Sequence, residues 1–263
     1  MGTQGGSRER IFGRHAAAEV LRAGRRKVHA LEIAEGTEVR GALQQVLHLA
    51  EAASVPVRRV RRSELDRESD SHQGVAASVE AYPYVEIADL LERAVERREP
   101  PLILLLDLIQ NPQNLGTLLR TAEAVGVHGV ILGTHRAAGI TPAVVSSSSG
   151  ASEHLWIARS NLAQAIDRLR AAGVWIVGLD GGLEAVPMDG VNLTGPLGLV
   201  VGNEGEGMRR LVRASCDVLM RVPMRGRVES LNAAVAGSLA LYAAWSARGY
   251  AGAGSAPATG GLH

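Results

Sequence analysis

The chain has 263 residues, a formal net charge of +1, 46% hydrophobic residues and a single cysteine, Cys216. That length and apolar content supply the core of one large or two ordinary domains, and they exclude a disordered chain, a disulfide framework and a zinc ribbon. No apolar run reaches the roughly 20 residues that span a bilayer, and the opening MGTQGGSRER lacks the apolar stretch of a secretory signal, so the chain is expected in the cytoplasm.

A first α/β unit is expected over residues 10–79. RHAAAEVLRAG reads as a helix with Ala17, Val20 and Leu21 on one face and Gly24 at its end. ALEIAEG follows as a strand, then a helix through Leu43, Val46, Leu47 and Ala50, then VPVRRV and GVAASVEAY as strands. Lys27 is the only lysine; every other basic residue is arginine, a usage that suits planar recognition of phosphate and follows equally from a GC-rich genome. Arg58, Arg59, Arg61 and Arg62 around Val60, together with Arg25, Arg26 and Lys27, form a candidate phosphate-contacting face, with a solvated surface as the alternative, since Glu64, Asp66, Glu68 and Asp70 follow at once.

Residues 80–100 read as a charged linker holding one helix and closed by Pro100 and Pro101. From 101 to 249 strands and helices alternate: LILLLDL, a helix over 114–126, GVILG, a helix across 141–150, VWIVGLD, LGLVVG, a short helix at 207–214, VLMRVPM and a helix over 230–248. This order predicts a mostly parallel sheet covered on both faces. The tail, 250–263, is small-residue and polar and is expected to be disordered.

Three polar segments close apolar runs in this second unit: NPQNLGTLLR at 111–120, GNEGEGM at 202–208 and ESLNAA at 229–234. Each stands between a strand and a helix, which places all three at one edge of the sheet, where α/β proteins bind ligands. In the first, Asn114 is placed at an N-cap and Gly116 leaves room for a ligand or a neighbouring backbone, while Arg120 points away from the buried stripe of Leu115, Leu118, Leu119 and Ala122. The second has glycines in the pattern G-x-x-G-x-G, which is neither a dinucleotide fingerprint nor a phosphate loop, and its Glu204 and Glu206 favour a cationic or neutral ligand over a pyrophosphate. In the third, capping accounts for Ser230, whereas Asn232 inside a first helical turn calls for a side-chain task. His128, His135 and His154 lack ligand spacing, so no metal is expected.

In order, spacing and sequence the three segments resemble the motifs of the SpoU (TrmH) family of RNA ribose 2'-O-methyltransferases. The resemblance covers residues 102–248, with N-x-G-x-x-x-R at Asn114, Gly116 and Arg120, G-N-E-G-x-G from Gly202 to Gly207 and P-M-x-G-x-x-x-S-L-N from Pro223 to Asn232. GRHAAAEVLRAG and SHQGVAASV resemble the small ribosomal-protein-like substrate-binding domain of the family's 23S rRNA (guanosine-2'-O) methyltransferases. NAAVAG departs from the commoner NVSVA, with Ala233 and Ala234 in place of Val and Ser.

The resemblance implies a SPOUT α/β-knot fold with a trefoil knot, S-adenosylmethionine as cofactor, and a homodimer in which Arg120 reaches a site completed by the partner. It implies catalytic work for Asn114, Arg120, Glu204, Ser230 and Asn232. Main-chain cofactor contacts fall at Gly202, Val222 and Leu231, with Leu132, Gly133 and Leu179 as further candidates. It favours 23S rRNA as substrate; a tRNA ribose methyltransferase, a resistance-type rRNA methyltransferase and a non-catalytic RNA-binding assembly factor are the alternatives.

Overall fold

The computed structural model describes residues 8–254 except Arg136 and Glu229; most of the expected disordered tail, 255–263, lies outside the described residues. The N-terminal unit consists of β1 (Arg8–Phe12), α1 (Arg14–Ala23), β2 (Val28–Ala34), α2 (Ala42–Ala52), β3 (Val57–Val60), α3 (Arg62–Asp66) and β4 (Val75–Glu80). Its sheet runs β1-β4-β2-β3, with β4 antiparallel to both neighbours and β3 parallel to β2. As the periodicity predicts, α1 buries Ala17, Val20 and Leu21 and ends at Gly24, whose left-handed φ of 60° is open to glycine. β1 is absent from the sequence reading because its charged sequence, RERIF, carries no strand signature until β4 pairs with it.

Residues 80–100 are not a free tether. Val85 bridges to Ala158, and α4 (Ile87–Arg97), opened by a capping box between Glu86 and Asp89, buries Ile87, Leu90 and Ala94. Leu90 packs so closely on Gly129 that a Cβ there would lie 2.5 Å from its methyl group.

The second unit runs β5 (Leu102–Leu106), α5 (Pro112–Ala124), β6 (Gly129–Gly133), α6 (Pro142–Ser147), β7 (Ile157–Ser160), α7 (Leu162–Ala171), β8 (Trp175–Leu179), β9 (Val186–Pro187), β10 (Leu197–Val201), α8 (Arg210–Ala214), β11 (Val218–Arg221) and α9 (Ala233–Ala247). The alternation expected from sequence lacks β7, α7 and β9. All seven strands pair in parallel, in the order β7-β6-β5-β10-β8-β11-β9. β5, β6 and β10 are buried along their whole length, which is why their sequences are apolar without alternation. The strand order turns back between β5 and β10, and a crevice opens beyond the carboxyl ends of strands at such a point.

Helix α5 is held by close approach on two sides. A Cβ on Gly116 would sit 2.8 Å from the carbonyl carbon of Ser147 in α6, and one on Gly237 in α9 would sit 2.5 Å from a Leu118 methyl group. Ser147 thus serves helix packing, and of the two uses open to Gly116 the structure selects the neighbouring backbone. Thr121 and Ser238 join α5 to α9 through a 2.8 Å hydroxyl contact.

The two units share one continuous core that includes Ile11, Ala17 and Leu31 from the first and Leu104, Leu118 and Val144 from the second. Around it lies an ionic cluster on a 3₁₀ turn, Ala151–His154. Arg26 donates to Glu153 at 2.8 Å and to Glu9 at 3.0 Å, with the Arg26 and Glu153 side chains each 1% exposed. Burial alone would lower the guanidinium pKa; the two carboxylates more than offset this and keep it charged. Arg25 donates to the Tyr82 hydroxyl at 2.9 Å and to the Leu155 carbonyl. His154 and Glu19 are 2.7 Å apart; their hydrogen bond, opposed by burial, raises the imidazole pKa and lowers that of the carboxyl.

Two outcomes follow from this packing. Gly116→Ala should gain about 1 kcal/mol from helix propensity but lose about 1–3 kcal/mol to overpacking against Ser147. Its thermal midpoint should therefore fall, and a rise would show that α6 yields. His154, with its raised pKa, contributes fully below the ordinary imidazole value and loses that contribution as pH climbs through the folded value. Glu19, with its lowered pKa, contributes above the ordinary carboxylate value and loses it as pH drops through its own. The difference in thermal midpoint between wild type and His154→Gln should be largest between roughly pH 4.3 and 6.5 and shrink on either side; a pH-independent difference would show that the pair has no electrostatic role.

Candidate active site

The three polar segments meet at the carboxyl edge of the sheet, each as the loop between a strand and a helix. After β5, Asn111 caps α5: its Oδ1 accepts from the Gln113 N–H at 2.7 Å and the Asn114 N–H at 3.4 Å, with Pro112 at the first helical position. This corrects the placement of Asn114 as the cap. Asn114 stands one turn further in, and its side-chain amide is free to reach outward. After β10, residues 202–207 double back in a tight turn, in which Asn203 Oδ1 accepts from the N–H groups of Gly205 (3.0 Å) and Glu206 (2.6 Å). A Cβ on Gly202 would collide with the Gly207 carbonyl carbon at 2.3 Å, and Gly207 has a φ of 66°, so both glycines are required by the turn. After β11, Asn232 rather than Ser230 caps α9, its Oδ1 accepting from the N–H groups of Ala234 (2.9 Å) and Val235 (3.2 Å).

These loops are tied by one carboxylate. Glu204 Oε1 accepts from Asn114 Nδ2 at 2.6 Å and from Asn232 Nδ2, and Asn232 Nδ2 also lies 3.1 Å from Asn114 Oδ1. Asn232 therefore works with both ends of its amide, Oδ1 on its own helix and Nδ2 on its neighbours. Asn114, Glu204 and Asn232 are thus in direct contact.

Beside this cluster lies a cleft of about 340 Å³. Its apolar wall is made by Val201, Met220 and Ala236, and its main-chain rim by the loops at 179–181 and 202–207 and by Val222. Of the positions implied by the resemblance, Leu179, Gly202, Val222, Ser230 and Leu231 line it. Leu132 and Gly133 do not: they close β6, where Leu132 is buried and Gly133 faces Leu106 and Leu162. Arg120 is not among the lining residues either; it extends from α5 to donate a 3.4 Å hydrogen bond to Ser149.

Two functional neighbours escape a reading by motif. Asp107, fully buried at the end of β5, accepts from both the backbone N–H and the Nε of Arg209 at 2.8 Å, fastening the end of the 202–207 loop to the strand that leads into α5. Its signal is a lone carboxylate closing the apolar run LILLL. Asp180 lines the cleft; burial would raise its pKa, but the Arg213 guanidinium at 2.7 Å and the Gly182 N–H hold it below the ordinary value. The cleft thus presents an ionised carboxylate next to an apolar wall.

The candidate RNA face divides. Arg58 and Arg59 on β3 and Arg61 and Arg62 at the start of α3 are exposed, with Arg61 3.2 Å from Glu64. Arg26 is buried in the ion pair with Glu153, and Arg25 is spent on carbonyls and on Tyr82, so neither belongs to an RNA-facing surface. Two of their partners, Leu155 for Arg25 and Glu153 for Arg26, lie 130 and 127 residues away, beyond any local pattern. Cys216 is a half-buried thiol raised to about 12 by burial, consistent with core filling. His128 accepts from the Leu102 N–H and faces Glu99, so its role is structural.

The model of the SpoU rRNA Methylase family matches residues 101–242, and that of the RNA 2'-O ribose methyltransferase substrate-binding domain matches residues 10–85. The Bacillus subtilis protein YacO, assigned to the TrmH family of tRNA/rRNA methyltransferases, is 43% identical over 242 residues, covering 90% of this chain and 95% of its own. The 23S rRNA (guanosine-2'-O-)-methyltransferase RlmB of Coxiella burnetii is 39% identical, covering 88% of this chain and 93% of its own. Among solved structures, the SpoU methyltransferase AviRb from Streptomyces viridochromogenes, in complex with the cofactor AdoMet, superposes with a TM-score of 0.76 at 27% identity, over 92% of this chain and 91% of that one. With both units matched in the order in which they stand here, and relatives aligned along nearly their whole length, the chain belongs to the SpoU rRNA methylase family.

Proposed function

We propose that the protein transfers a methyl group from S-adenosylmethionine to the 2'-hydroxyl of a guanosine in 23S rRNA. The observation that carries this reading is the cluster of Asn114, Glu204 and Asn232 beside a cleft whose chemistry suits that cofactor. The cleft sets the apolar surfaces of Val201, Met220 and Ala236 against Asp180 and Glu204, a combination that fits a ligand partly apolar and partly cationic and disfavours a phosphate. Main-chain groups at Gly202, Val222 and Leu231, with Leu179 alongside, would hold the cofactor. When bound, S-adenosylmethionine supplies an electrophilic methyl group on a positively charged sulfur.

The residues of the chain supply alignment and charge. The hydrogen bonds through Glu204 fix three loops before substrate arrives, so a hydroxyl held by Ser230 and the two asparagines meets a preset geometry; such orientation contributes several kcal/mol to a displacement reaction. A guanidinium offers five donors and no acceptor, so Arg120 is suited to hold charge and not to take the proton. Its role is to clamp a phosphate and to stabilise negative charge developing on the ribose oxygen.

Arg120 lies outside the cleft of its own chain, and α9 exposes Val235, Leu239 and Tyr242 on the side away from α5. A helix apolar on both sides calls for a second partner. Both features support a homodimer in which Arg120 serves the partner's cleft. The 23S rRNA reading draws on the likeness to RlmB and on the substrate-binding model over 10–85.

Transfer of labelled methyl from S-adenosylmethionine to protein-free 23S rRNA should yield a single 2'-O-methylguanosine. Arg120→Ala should abolish it with cofactor affinity unchanged, and collapse of that affinity would sink the assigned role. Methyl transfer to tRNA instead of 23S rRNA would replace the substrate. Coexpressed Arg120→Ala and Glu204→Gln chains, each inactive alone, should regain up to about a quarter of wild-type activity, because a mixed dimer of two-fold symmetry keeps one intact site. No recovery in demonstrably mixed dimers would place Arg120 in its own subunit's site.

A further inference from the structure

A second, larger groove of about 920 Å³ runs between the two units, and nothing in the motifs accounts for it. One wall is the N-terminal unit, with Arg8, Ser69 and Ser71; the other is formed by Gln113 of α5 and Ser146 of α6. We propose that this groove holds the one or two single-stranded nucleotides flanking the target ribose, an inference that rests on the RNA methyl-transfer reading above.

Position is the first argument. Gln113 lines the groove, and the next residue, Asn114, is bonded to Glu204, which lines the cofactor cleft. Groove and cleft thus adjoin at consecutive residues of α5, so a strand lying in the groove delivers a neighbouring ribose to the cluster.

Chemistry is the second. Arg10 is paired with Glu32 and with Glu68, itself a lining residue, so Arg8, without an ion pair among the described residues, is the groove's unpaired cation. One unpaired cation amid hydroxyls, an amide and the paired Glu68 carboxylate matches one or two phosphates with their ribose hydroxyls and base edges. It is too sparse for a duplex, whose phosphates call for many cations. The volume lies within the roughly 300–1,000 Å³ of ligand-sized pockets.

Permanence is the third. The walls belong to units joined by the Arg26–Glu153 ion pair and by the Glu19–His154 pair, so the groove does not depend on a chance placement of the N-terminal unit.

The test uses the full chain with Ser69→Trp, which fills the groove, Ser71→Arg, which adds a cation to it, and Ala171→Trp, at the exposed end of α7, as a control. Affinity for protein-free 23S rRNA is read by filter binding, alongside KM and kcat for methyl transfer and the affinity for S-adenosylmethionine. Ser69→Trp should weaken rRNA binding and raise KM about tenfold, leaving kcat and cofactor affinity unchanged. Ser71→Arg should tighten binding about threefold and steepen the salt dependence of log K by about 0.7, the share of one single-strand phosphate contact; a misfolded variant cannot produce that gain. Wild-type affinity and salt slope in both variants overturn the groove. If the wild type binds RNA yet methylates neither 23S rRNA nor tRNA, the activity reading fails, and the affinities of the two variants still decide the groove.

Discussion

Glu204 Oε1 accepts side-chain amides from two helices, α5 and α9, while its own backbone belongs to a third loop. A carboxylate is the right group for this task. It has acceptor capacity for several donors, and its charge strengthens each bond relative to one between neutral partners. The donors are well placed because they stand at helix starts: Asn232 is the cap of α9, and Asn114 is presented by the turn that Asn111 caps. The residues that begin the helices and those that assemble the site are therefore the same or adjacent. Its geometry is inherited from the helix ends, not imposed on them.

That inheritance makes α5 the element through which the rest of the molecule reaches the site. It is gripped by Ser147 at Gly116 and by α9 at Leu118 and Thr121, and α6 leads directly into the 3₁₀ turn that carries Glu153 and His154. The N-terminal unit holds that turn through Arg26 and Glu19. A rigid chain of contacts thus runs from the RNA-facing unit to Asn114, with small residues at each close approach. Buried Asp107 performs the same service for the opposite loop, tethering Arg209 so that Glu204 stands on a fixed base.

Much of this was legible in the sequence, for reasons that particular residues make plain. Unbroken apolar runs such as LILLL and LGLVV announce strands buried on both faces, and three polar loops closing such runs announce one sheet edge. The cap of α5 was legible as well, since Pro112 marks the first helical position and so points to Asn111 rather than Asn114. α7 also carried its signals, with Asn161 as cap and Leu162, Ala165, Ile166 and Leu169 on one face. The fates of Arg25 and Arg26 were different in kind. Charge beside charge in sequence looks like surface, and only the fold brings Glu153, 127 residues on, against Arg26. Asp107 is of the same sort: its partner lies 102 residues away.

The bond between Asn114 and Asn232 spans 118 residues. On a ribosome adding about 5–20 residues each second, the second asparagine emerges roughly 6–24 s after the first. Throughout that interval α5 can form and lean on α6, but its other face has no α9, and Asn114 no partner from the last loop. A contact of such long range also carries a high loop-closure cost and forms late in folding. The nascent chain, emerging beside the ribosomal RNA of its own translating ribosome, has no completed methyl-transfer site to present to it until Asn232 and the helix it caps have emerged.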